Sequence, residues 1–241
     1  MFTASHFIWL GSITLLIGAV FFLISKFRVP QAVVQRAVMY LLIATKIFHT
    51  ALSMKDATGG GMVLDQSNMP FHLCSLMIYA VIIMNLVKNE QLVKVMKSFM
   101  VPAMLIGAAM ALIIPTAGTD PAAPRVWEYM SAHTVLVFYG IYLMAVEKVD
   151  LSFKVYLTNL KILAGITVFA FLMNSMLEPY EPNYFFLRKP PMDGLPILNL
   201  DHGWHVYFVS LVAVACILML AVHLPFIIKA ARGKNTDTDE K

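Results

Sequence analysis

Seven runs of apolar residues, each close to the roughly 20 that carry a helix across the hydrocarbon of a bilayer, account for most of the chain. They are His6 to Ser25, Val33 to Ser53, Pro70 to Val87, Leu92 to Ile114, Val126 to Val146, Leu160 to Leu177 and Trp204 to Ile228. Little lies outside them. The predicted fold is an all-α membrane protein, a single seven-helix transmembrane bundle over residues 1–232 with a polar tail, GKNTDTDEK (233–241), expected to be disordered. The first run has no basic segment before it and no small-residue cleavage site after it, which predicts a retained span and not a removed signal peptide.

The connections on one side carry the information. DATGGGMVLDQSN (Asp56 to Asn68) holds three consecutive glycines and must be mobile or tightly turned. PTAGTDPAAPR (Pro115 to Arg125) is too rich in proline to stay helical. The longest, Glu178 to Gly203, mixes prolines with aromatics and is expected either to lie in the interface or to fold back over that face. Pro102 falls inside the fourth run, near the small-residue stretch Gly107 to Ala111, which predicts a kinked, closely packed helix whose freed carbonyl finds another partner.

Composition agrees with a bilayer environment: the chain is 59% hydrophobic, only 13% charged, and has a mean hydropathy of +0.74. The net charge of +4 resides in loops, and no basic stripe with interleaved aromatics exists, which excludes a nucleic-acid partner. Lysine and arginine cluster at alternate connections: Lys26, Arg28 and Arg36; Lys88, Lys94 and Lys97; Lys148, Lys154 and Lys161; and Lys229, Arg232, Lys234 and Lys241. By the positive-inside rule those are cytoplasmic, which puts the N-terminus outside, the C-terminus inside, and the protein in the cell membrane as a multi-pass chain.

Polar side chains inside spans are costly, so each raises a functional question. Counted at 1.5 Å per residue from the outer helix ends, Cys74 lies about 6 Å deep, His49 about 6 Å, Asn174 about 5 Å, and Lys46 and His133 about 10 Å. His205 begins the last span, and Glu178 follows Asn174 by four residues, on the same helix face. These groups gather in the outer third.

His72 and Cys74 are two apart and would point to opposite sides of a helix, so a partner for the thiol must come from elsewhere. His133 is the candidate base, with Asn174 or Glu178 to orient its ring, in the manner of nucleophile, base and orienter. Lys46, His49, His72 and His205 are supporting or substrate-binding candidates. Cys216 lies about 18 Å into the last span, too deep for a disulfide to Cys74. Two rival readings use the same layer. Histidines 49, 72, 133, 202 and 205 with Asp201 are enough for a three-ligand zinc site, although no metal signature occurs at fixed spacing. Lys46 and His49 beside the glycine-rich loop would suit a binder or transporter of a small anionic solute.

The segments FHLCSL (71–76), AHTVLVFYG (132–140) and NYFFLRKPP (183–191), followed by a final span, resemble the YwaF-like family of bacterial integral membrane proteins and their eukaryotic transmembrane relatives. That resemblance implies a phospholipid acyltransferase working through a cysteine, here Cys74, and a histidine, here His133. It implies membrane phospholipids and lysophospholipids as partners, with no cofactor and no metal. The 17 methionines would suit a flexible acyl chain.

Overall fold

The computed structural model describes residues 3–56, 62–64, 69–192 and 194–236. Helix α1 (Ala4–Phe27) opens with the Thr3 hydroxyl accepting from the His6 amide, and it closes on Arg28 in the left-handed region (φ 48°). The Val29 amide then bonds back to the Ile24 carbonyl, and Pro30 starts α2 (Gln31–Leu52). Val34, Val38 and Leu42, spaced by four, form the one buried stripe of α2.

Beyond α2 the backbone is not helical throughout. Strand β1 (Met54–Asp56) pairs antiparallel with β2 (Met62–Leu64), Met54 opposite Leu64, a small addition to the all-α expectation. Residues 57–61 and 65–68 of the glycine-rich connection lie outside the described residues, as do 237–241 of the tail.

Helix α3 (Leu73–Leu86) starts later than the apolar run that predicts it, because Pro70, Phe71 and His72 precede the first turn and His72 is extended (φ −69°, ψ 152°). Its 14 residues rise only about 20 Å. Helix α4 (Glu90–Ala103), a π-helical turn (Met104–Ala108) and α5 (Ala109–Ile113) form one interrupted rod. Pro102 has no amide hydrogen to give the carbonyl four residues back, that of Ser98. Asn159, on α7 (Phe153–Met176), donates to this carbonyl instead at 2.9 Å. Its other amide hydrogen faces His223 Nε2 at 3.2 Å, while His223 Nδ1 donates to the Leu151 carbonyl. The kink expected at Pro102 is thus a π-helical turn tied to α7 and α8 (Trp204–Thr236) by buried polar groups.

Helix α6 (Pro124–Ala145) lies at the centre, with Leu136, Tyr139, Tyr142 and Leu143 fully buried against α2, α3 and the α4–α5 rod. A Cβ at Gly140 would stand 3.2 Å from both Met104 Cβ and a Leu105 methyl, so this glycine lets α6 touch the π turn. At the end of the bundle remote from Cys74, Lys97 and Gln35 hold the buried Glu147 carboxylate at 2.6 and 2.8 Å. Helix α7 (Phe153–Met176) begins before Leu160, since hydropathy alone misses its first turns with Lys154 and Asn159. Helix α8 continues past Arg232 to Thr236.

Among the described residues, five helical segments are long and apolar enough to cross a membrane: α1, α2, the rod Glu90–Ile113, α7, and Trp204–Arg232 within α8. Helix α3 is apolar but short, and α6 is long but polar over PRVWEYMSAHT.

Candidate functional site

The long loop between α7 and α8 folds back over the start of α3. The Asn174 side chain both accepts from the Tyr184 amide (2.8 Å) and donates to the Tyr184 carbonyl (3.0 Å), pinning the loop to the last turns of α7. Asn183 receives the Arg188 and Lys189 amides and donates to the Lys189 carbonyl. Trp204 Nε1 donates to the Leu187 carbonyl, and the Tyr207 hydroxyl to that of Phe186. Between these staples Phe185 and Phe186 hold left-handed backbone angles (φ 58° and 57°), which cost about 1–2 kcal/mol each for bulky side chains. The result is an aromatic roof. Tyr184 packs edge-on against Phe71 and His72, and Phe186 lies beside His72. Burial pushes the Tyr184 phenol above its usual range.

Under this roof Cys74 occupies the first turn of α3, not the second turn that the apolar run suggests. A Cβ at Gly107 would stand 3.6 Å from Cys74 Sγ, so the small-residue stretch of the rod makes room for the thiol. Cys74 is also within electrostatic range of Tyr129 on α6. The Tyr129 ring lies against that of His133, centroids 4.2 Å apart, and its hydroxyl bonds the Ala111 carbonyl at 3.1 Å. His133 Nδ1 stands 2.6 Å from the Tyr129 carbonyl. A carbonyl only accepts, so Nδ1 carries the proton and Nε2 of the neutral ring keeps its lone pair. Thiol and imidazole share Tyr129 as a neighbour without a hydrogen bond between them.

Beside this pair a charged cluster joins the end of α2 to the head of α6. His49 Nδ1 lies 3.3 Å from Glu128 Oε1 and 3.2 Å from Arg125 Nη1. Neutral His49 accepts from the guanidinium; protonated, it pairs with the carboxylate. Arg125 also contacts Glu128 Oε2 at 3.5 Å and the buried Ser53 hydroxyl at 3.3 Å. Lys46 Nζ reaches Ser75 Oγ at 3.4 Å and lies 5.9 Å from the centre of the Tyr79 ring. His72 is within electrostatic range of His133, Lys46 and His49.

Cys74, His133, His72, Lys46 and His49 therefore gather at one end of the bundle. The other predicted positions do not join them. Asn174 spends both ends of its amide on the roof, and Glu178 pairs with Arg188 at 3.0 Å with 70% of its side chain exposed. The group that orients His133 is a backbone carbonyl one turn earlier in its own helix, so neither of the proposed orienters is used. His205 is exposed and lies against Trp204. Among the described residues no three His, Cys, Asp or Glu side chains converge as a metal-holding group. Sequence reasoning missed Glu128, which is 7% exposed, and Tyr129. The available signal was a carboxylate four residues into a predominantly apolar helix.

Residues 1–223 match the family model described as the TMEM164 family, and the chain belongs to that family. No curated protein and no solved structure matches it.

Proposed function

We propose that this member of the TMEM164 family is a seven-span enzyme that moves acyl chains between membrane phospholipids through a thioester on Cys74, with His133 as its base. One observation carries the reading. The Nδ1–H of His133 is committed to the Tyr129 carbonyl, which leaves Nε2 as a proton acceptor in the same sector of the bundle as a free thiol. The lysines and arginines of the alternate connections then put α1 to α8 across the cell membrane with the N-terminus and the roof outside, the short α3 and the polar α6 counting as spans.

In the first half-reaction His133 takes the thiol proton and the sulfur attacks the ester carbonyl of a donor phospholipid. A C–S bond forms, the ester C–O bond breaks, and the departing lysophospholipid oxygen receives the proton from His133. In the second, His133 removes the proton from an acceptor hydroxyl, the oxygen attacks the thioester, and the sulfur leaves and is reprotonated. A thiolate at Cys74 lies at the favourable end of the α3 dipole. The donor ester sits at the top of the hydrocarbon, level with the first turn of α3, so the bilayer delivers it.

The test is a covalent adduct. Intact-protein mass spectrometry on wild type incubated with phospholipid vesicles should show one acyl chain on Cys74. Cys74→Ser and Cys74→Ala should fold and lose it, His133→Ala should form it at least about a hundredfold more slowly, and Cys216→Ala should keep it. Full acyl-exchange activity in Cys74→Ala would overturn the thioester.

A further inference from the structure

A groove of about 520 Å³ runs between α2 and α3, lined by Ile43, Lys46, Ile47, Thr50, Met54 and Ile82. Its wall on α2 is the stripe Ile43, Lys46, Ile47 and Thr50, spaced i, i+3, i+4 and i+7. The α3 wall is Ile82, and Ser75, which follows Cys74 in the chain, lies seven residues earlier on α3 and accepts from the Lys46 ammonium at 3.4 Å. Ile47 is 67% exposed, so the groove opens sideways from the bundle. It is apolar apart from the Thr50 hydroxyl, which donates to the Lys46 carbonyl, and the Lys46 ammonium, whose near neighbours are the Ser75 hydroxyl and the Tyr79 ring face. Among the described residues no carboxylate stands within ion-pair distance of it. Glu128 is within electrostatic range but is already shared by His49 and Arg125.

A cation held in an apolar trough has a specific complement: a molecule with an anionic head and a hydrocarbon tail. We propose that this groove is a phospholipid seat, with the lipid phosphate on Lys46 and one acyl chain along Ile43, Ile47 and Ile82. Tyr184 and Phe186 pack on His72 beside the start of α3, and among the described residues the exposed Ile47 leaves the groove open on the α2 side. The inference rests on the acyl-transfer reading only for its consequence, namely that the seated lipid lies one residue from the nucleophile. The seat itself stands on the groove and its charge.

The experiment separates the two. Full-length protein is reconstituted in phosphatidylcholine vesicles doped with a phosphatidylglycerol carrying a diazirine in one acyl chain, illuminated, and digested for mass spectrometry. Label should fall on the α2 and α3 peptides bearing Ile43, Ile47 and Ile82, and Cys74→Ser, which lacks the chemistry, should label like wild type. Lys46→Met should reduce labelling about fivefold, a change on the scale of a partly exposed charge contact, and Lys46→Arg should restore most of it. Ile47→Trp, at an exposed position where folding is safe, should block it by filling the groove. A diacylglycerol probe with the same tail but no phosphate should label weakly in wild type. Equal labelling by that probe, or unchanged labelling in Lys46→Met and Ile47→Trp, would overturn the seat whatever the state of Cys74. A missing acyl adduct with intact Lys46-dependent labelling would sink the transferase and leave the seat standing.

Discussion

Asn159 on α7 donates to the carbonyl of Ser98 on α4, and Ser98 is the residue whose helical partner Pro102 removes. The proline and the asparagine thus answer one another across two helices. Asn159→Leu should destabilise the protein by about 1–3 kcal/mol, the cost of orphaning a buried acceptor. Pro102→Ala in the same chain should recover part of the loss, since the new amide hydrogen can reach Ser98. Thermal melts in detergent of both singles and the double will show it; strictly additive losses would mean the shared carbonyl is not the link.

The two glycines of the thiol region should respond differently. Gly140→Ala drives a methyl to 3.2 Å from Met104 and Leu105 and should cost about 1–3 kcal/mol by overpacking. Gly107→Ala meets Leu73 and Cys74 at ordinary contact distance, 3.5 and 3.6 Å, and should change stability by less than about 1 kcal/mol. The same melts decide this, and equal penalties would contradict the packing described.

Glu128 is shared by His49 and Arg125 at the junction of α2 and α6. Glu128→Leu removes the carboxylate that His49 and Arg125 share and should cost about 1–2 kcal/mol, between the values of an exposed and a buried pair because the Arg125 side chain is 36% exposed. Glu128→Leu combined with Arg125→Leu should be milder than Glu128→Leu alone. A greater loss in the double variant would place the value of the cluster in the arginine's other contacts.

Asn174→Leu removes both bonds that pin Tyr184. Protease cleavage within Glu178 to Gly203 should accelerate about tenfold, the equivalent of some 1.4 kcal/mol of local opening, while the global melt shifts little. An unchanged cleavage rate would mean that Trp204 and Tyr207 hold the roof by themselves.

Orientation has a direct check. A tag after Lys241 should be protected from protease added to intact cells, while one inserted near Gly194 is cut. The reverse pattern would move the Cys74 end to the cytoplasmic side and invert the outer-leaflet assignment.

The apolar runs make the helices legible, because hydrocarbon thickness sets one length scale for all of them. Their ends are less so: α3 begins at Leu73 and not Pro70, since extended backbone at His72 is as apolar as helix, and α7 begins at Phe153 because hydropathy discounts a first turn holding Lys154. The grouping of Cys74, Lys46, His49 and His133 toward one end was readable from depth along the helices, and His72 entered only as the neighbour two residues before Cys74. The partners were not. Glu128 meets His49 across 79 positions and Asn159 meets Ser98 across 61, and no local periodicity encodes which faces a bundle turns toward each other. Asn174 shows the converse error: its depth matched the thiol, but its amide was complementary to the backbone of a loop that depth counting ignores.

The left-handed pair Phe185–Phe186 and the tyrosine before it close the top of α3 with aromatic carbon. Under the acyl-transfer reading proposed above, whatever meets the first turn of α3 arrives by two-dimensional diffusion within the leaflet. Its effective concentration is a mole fraction among neighbouring lipids, not a molarity in the medium. Diluting the vesicles in buffer should then leave occupancy unchanged, while diluting the ligand with inert lipid lowers it.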